Sequence, residues 1–139
     1  MSIPAPFQKN GAFFIQSMMK GVTMLTTNAI IIYITTKDAG EARTLGRKLV
    51  TERLVACANI LDGMQSLYHW EGKLCEDREA VLICKTRQSL LDEIVNRVKK
   101  LHTYTCPCIV AYPIAGGSPE YLAWIEQETK RPEHQEPES

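Results

Sequence analysis

Net charge is missing from this sequence: 16 Lys and Arg balance 16 Asp and Glu. With no basic balance, no strong field draws the chain toward nucleic acid or an anionic membrane, and a nucleic-acid role is set aside. Long apolar runs are missing too. Nothing approaches the roughly 18 consecutive apolar residues of a membrane span. Phe13, Phe14 and Ile15 make too short a core for a signal peptide, with Lys9 the only charge ahead of them. Arginine is absent before Arg43, which argues against a mitochondrial transit segment. The five cysteines are an odd number, so a complete disulfide framework is excluded. A reducing, cytoplasmic location fits most simply, with a targeting role for residues 1–28 left open. There is no G-x-S-x-G, P-loop or G-x-G-x-x-G motif. The carboxylate pairs Glu76/Asp77 and Glu126/Glu128 have no nucleophile or His beside them, so the chain is read as non-enzymatic.

What is present suits one domain: 139 residues, of which 45% are hydrophobic. Residues 1–28 show no clean period and read as a poorly ordered extension, or less readily as bearing an extra strand over 22–25. The β-branched run AIIIYITT over Ala29–Thr36 predicts a buried strand. Asp38 and Glu41 form a capping-box pattern, followed by Ala42, Leu45, Gly46, Leu49 and Val50 as the core face of a helix. Residues 54–70 and 73–86 predict a long hairpin, turning at Glu71 and Gly72 and bent at Gly63. Ser89 caps the next helix, whose apolar stripe includes Leu90, Leu91, Ile94, Val95, Val98 and Leu101. A last strand is expected over 108–114 and a short helix from Ser118 and Pro119, with Tyr121, Leu122, Trp124 and Ile125 as its apolar face. The domain thus covers 29–130, and a polar tail occupies 131–139.

The order β-α-β-β-α-β plus a final helix predicts an α+β, ferredoxin-like fold, with both main helices on one face of a four-stranded antiparallel sheet. Leu67, Tyr68, Trp70 and Leu74 crowd around the hairpin turn. Apolar clusters of that size mark interfaces, most simply between copies of the chain in a closed ring.

Several segments resemble the CutA family of divalent-cation tolerance proteins. Residues 52–60 (ERLVACANI) resemble its segment between the first helix and second strand. Residues 66–73 (SLYHWEGK) look like its S-x-Y-x-W-x-G-K hairpin, and 84–86 (CKT) match the end of its third strand. Leu101-His102-Thr103-Tyr104 followed by Pro107 is similar to its H-P-Y-x-x-P-E stretch, and 121–124 (YLAW) match its last helix. The resemblance covers residues 29–128 and implies a ferredoxin-like subunit, a homotrimer, unusual thermal stability and an association with copper and other divalent metals. It implies no reaction. In the family, a first-strand cysteine, a histidine and a glutamate have been proposed as metal ligands. The matching positions here are Ile34, His102 and Cys108.

The candidate metal site is therefore His102 with Cys106 and Cys108, whose thiolates suit copper, Cu(I) above all, or zinc. On a strand, residues 106 and 108 would share one face. The alternative is that both cysteines are small packing residues and that His102 only complements a helix end. Cys57 and Cys84 read as buried and Cys75 as exposed. Tyr68, Trp70, Tyr104 and Trp124 are candidates either for a ligand-binding cleft between subunits or for interface packing. A non-catalytic scaffold or signalling trimer with a small-ligand site in those clefts is the alternative function. An acylphosphatase-type enzyme lacks its anion-cradling arginine loop, since Thr35-Thr36-Lys37-Asp38 stand there instead.

Overall fold

The computed structural model describes residues 27–131. The extra strand considered at 22–25, and all but the innermost residues of the extension and tail, lie outside the described residues. The elements run β1 (Ala29–Thr36), α1 (Ala39–Thr51), β2 (Cys57–Trp70), β3 (Lys73–Arg87), a 3-10 turn (Gln88–Leu90), α2 (Leu91–Leu101), β4 (Ile109–Pro113) and α3 (Pro119–Gln127). The four strands form one antiparallel sheet in the order β2-β3-β1-β4, the ferredoxin-like arrangement.

Alternation along the strands sorts the side chains. Ile30, Ile32 and Ile34 of β1 join Ala80, Leu82 and Cys84 of β3 against Leu45 and Leu49 of α1 and Ile94 and Val98 of α2. Each large aliphatic side chain buried there contributes about 1.5–3 kcal/mol. Gly46 lets α1 press onto the sheet: a Cβ there would lie 3.1 Å from Leu82 Cδ1 and 3.2 Å from Ala58 Cβ. Asp38 caps α1 by accepting from the Glu41 N–H at 2.8 Å, while Glu41 reaches back to the N–H of Lys37 at 3.1 Å, one residue before the cap. The helix ends where Arg53 turns to φ 61°. There Arg53 N–H donates to the Val50 carbonyl and Leu54 N–H to that of Leu49, a Schellman closure that drives Leu54 into the core.

Several local expectations are corrected. Val50 is 40% exposed, on the rim of the helix face rather than in the core. Ser89 does not cap α2: the 3-10 turn intervenes and delivers Leu90 to full burial, and the helix begins without a side-chain cap. Here burial outweighs a capping bond. Ser118 likewise makes no capping bond, its hydroxyl donating to Glu120, although Pro119 does open α3. On α3 only Ile125 is buried, while Tyr121 and Trp124 stay exposed.

The hairpin positions the site. Glu71 (φ 50°) and Gly72 (φ 77°) both take the left-handed region that a tight turn of this hand requires. At Gly63 (φ 76°) the register slips between Leu61 and Met64, the bulge expected there. β1 pairs with β3 only as far as Thr36↔Ala80. Residues 64–70 and 73–79 therefore pair only with each other and form an arm projecting past the end of β1.

Candidate functional site

A cavity of about 650 Å³ opens where this arm meets the end of β1 and the loop between α2 and β4. β1 contributes Thr35, and the arm contributes Tyr68, Trp70 and Glu79. The loop contributes Tyr104, Cys106 and Cys108. Thr35 and Glu79 alternate with the core-facing Ile34 and Ala80, so the cavity lies on the sheet face that α1 and α2 do not cover.

Glu79 is only 7% exposed, and its Oε2 accepts from the Tyr104 hydroxyl at 2.9 Å. Burial first, and then the neighbouring Glu79 carboxylate, push the Tyr104 phenol well above its ordinary pKa. The Tyr68 hydroxyl donates to Asp77, which raises its pKa to about 12. Burial also raises the Cys108 thiol, and the charge of Glu79 adds to that against a hydrogen bond involving Thr35.

His102 holds the loop that carries these groups. Its side chain is fully buried. The Tyr104 N–H can only donate, so Nδ1 accepts from it at 3.0 Å, and Nε2 therefore carries the proton and donates to the Thr35 carbonyl at 2.7 Å. Glu41 stands 3.8 Å from Nε2 and accepts from the Thr103 N–H at 3.1 Å. The start of α1, the end of β1 and the start of the loop are thus tied at one point.

This geometry bears on the candidate metal ligands. Both ring nitrogens of His102 are engaged, and Ile34 is fully buried and offers no donor atom. The ligand positions that the family resemblance implies do not fit a metal as a set. Among the described residues, no group of three or more His, Cys, Asp or Glu side chains is placed to hold a metal ion. Cys106 and Cys108 do come together on one cavity, both free and exposed. They sit in the loop before β4 rather than on the strand expected from residue 108, because pairing with β1 begins at Ile109. Cys84 is buried as expected, and burial pushes its thiol up to about 12. Cys57 and Cys75 are both half-buried, the first more exposed and the second less exposed than their positions suggested.

The four candidate aromatics divide. Tyr68, Trp70 and Tyr104 line the cavity, whereas Trp124 lies on α3 beside Tyr121, with ring centroids 5.4 Å apart. Sequence reasoning missed Glu79 and the role of Glu41 beyond capping. The available signal was the period-two register of Glu79 with Val81 and Ile83, on the face opposite the buried Ala80 and Leu82.

Fold and cavity together define a ferredoxin-like α+β protein with a ligand-sized cavity beside its projecting hairpin. Comparison with known proteins makes this specific: residues 30–128 match the family model for CutA1 divalent ion tolerance protein, and the chain belongs to that family. The divalent-cation tolerance protein CutA of Thermus thermophilus is 46% identical over 99 residues, covering 71% of this chain and 96% of that protein. The chloroplastic protein CutA of Arabidopsis thaliana is 42% identical over 105 residues, covering 76% of this chain. The match spans only 58% of that plant protein's length. The crystal structure of CutA1 from Oryza sativa aligns with a TM-score of 0.73 at 40% identity, covering 75% of this chain and 95% of that one. The family is named for tolerance of divalent cations, not for a reaction. No helix among the described residues is long and apolar enough to cross a membrane.

Proposed function

We propose that the protein is a non-enzymatic, trimeric metal-tolerance protein that takes a soft metal ion, Cu(I) above zinc, through the thiols of Cys106 and Cys108. The observation that carries this reading is the placement of two free, exposed thiols on one cavity. Paired thiolates suit two-coordinate Cu(I), and the set needs neither His102 nor a residue at position 34. Both thiols must lose their protons to bind, and partial desolvation together with the Glu79 charge holds the Cys108 proton on, so affinity rises with pH.

The trimer is supported by the two sheet edges. β2 exposes Ile60 and Leu61, and β4 exposes Val110 and Tyr112. Unpaired edges invite pairing with another chain. A β2 edge meeting the β4 edge of the next copy is a head-to-tail contact, which forms a ring when its rotation closes after three copies. The free thiols favour a reducing compartment, the cytoplasm being the simplest.

The test is anaerobic Cu(I) titration of the reduced protein beside a Cys106→Ser/Cys108→Ser double variant, with mass measured by light scattering. One tightly bound Cu(I) per subunit, lost in the variant, on a particle of three chains is the expected result. Equal, weak binding by both proteins removes the metal assignment. A monomeric mass removes the trimer.

A further inference from the structure

The cavity has a buried carboxyl group to which its own walls offer no cation. Glu79 is more than nine-tenths buried, yet it enters no salt bridge among the described residues. Its partner is the neutral phenol of Tyr104. Among the described residues, no Lys, Arg or His lines the cavity. A buried carboxylate without a cation is costly, and such groups are ordinarily paired. The carboxylate also bears on its surroundings: Tyr33, Tyr68, Tyr104 and Cys108 all feel it as a neighbouring charge that keeps them protonated. The site is thus set up to receive positive charge. The rings of Tyr68, Trp70 and Tyr104 stand around the same space, and aromatic faces attract cations as well as carbon frameworks.

We propose that this cavity binds a small organic cation, its ammonium group against the Glu79 carboxylate and its carbon framework against Tyr68, Trp70 and Tyr104. The inference goes beyond metal tolerance and rests on different atoms, since the thiols of Cys106 and Cys108 play no part in it. An ammonium donates up to three hydrogen bonds, and the carboxylate retains acceptor capacity beyond the single Tyr104 bond. A hard divalent ion would need several oxygen ligands. Glu79 is the one carboxylate among the described lining residues, so the chemistry favours an amine.

The chain has two tryptophans, Trp70 and Trp124, so Trp124→Phe leaves Trp70 as the sole reporter within the cavity. The full chain in that background is titrated with benzylammonium, and in parallel with benzyl alcohol, its uncharged analogue. A chelator and a reductant are present throughout, so the outcome is independent of copper binding. Saturable change in Trp70 fluorescence with the amine at millimolar concentration or below, and weaker binding of the alcohol by about tenfold or more, is expected for a charge-assisted contact. Glu79→Gln keeps the side-chain shape and should weaken the amine by about the same factor while leaving the alcohol unchanged. Should Glu79→Gln fail to fold, the amine–alcohol comparison decides alone. No saturable response to the amine, equal binding of amine and alcohol, or undiminished amine binding by a folded Glu79→Gln variant would each overturn the proposal. The first of these is also the result if a cationic side chain of a neighbouring copy already occupies the site.

Discussion

His102→Phe separates a structural histidine from a metal-binding one. The phenyl ring is a planar ring somewhat larger than the imidazole it replaces, so the substitution opens no cavity at a side chain with no exposure. It removes two hydrogen bonds, Nε2–H to the Thr35 carbonyl at 2.7 Å and the Tyr104 N–H to Nδ1 at 3.0 Å. A buried polar group left without its partner costs about 1–3 kcal/mol. Both backbone groups are partly buried, which places the sum near 2–4 kcal/mol. His102→Gln should fall between, because one amide cannot satisfy a donor and an acceptor set on opposite sides of a ring. The assay is urea unfolding of the metal-free protein at fixed chain concentration, since assembly couples to stability. A ligand role alone would leave the metal-free protein untouched. His102→Phe within about 0.5 kcal/mol of the parent, the range of ordinary surface changes, would refute the reasoning.

Three further outcomes follow from other parts of the molecule. Burial opposes ionisation of Glu41, but hydrogen bonds from Thr103 and from the Lys37 N–H outweigh it and hold the carboxyl below the usual range. Its folded pKa is lower than its unfolded one, so its stabilisation is present above about pH 4.3 and is lost as pH falls through the folded value. Glu41→Gln should flatten that acid limb in urea midpoints measured across pH, and an unchanged limb would remove Glu41 as its source. Glu71 sits at φ 50° without being glycine, so Glu71→Asn should raise stability by about 0.5 kcal/mol in the same assay, whereas a loss would show that the side chain does something there. Leu61→Lys, at a side chain 58% exposed on the β2 edge, should leave the subunit fold within about 0.5 kcal/mol by circular dichroism melts of isolated monomer. It should nevertheless shift the light-scattering mass toward monomer, and an unshifted mass would place the assembly surface elsewhere.

The elements that local patterning controls were legible in the sequence. The β-branched-rich run of β1, the two glycines of the hairpin and the Asp38–Glu41 cap each carry their signal within a few residues. Legibility failed where tertiary burial competes with a local preference. The serine at position 89 is a good cap on paper, but the chain spends that position on a turn that buries Leu90. The end of α1 carries arginine at the left-handed position that usually announces itself by glycine. The apolar stripe of α3 promised a buried face, and only Ile125 is covered within one subunit.

The site was legible as a set of residue types but not as an arrangement. Cys106, Cys108, Tyr68, Trp70 and Tyr104 were identifiable, and they do share a cavity. His102 belonged to the same short segment, yet it points the other way, into the junction of β1 and α1. Sequence proximity could not distinguish a side chain that lines a cavity from one that anchors the loop lining it. Glu79 shows the converse. Net neutrality of the chain says nothing about local charge, and a single acid among many looks solvated until register places it. The pairing Met64↔Glu79, one step beyond Thr36↔Ala80, sets it where β3 leaves the sheet and enters the arm. At that step Glu79 is still only 7% exposed, yet β1 no longer runs alongside to fill the space. A cavity with one buried carboxylate follows from where the strands stop pairing.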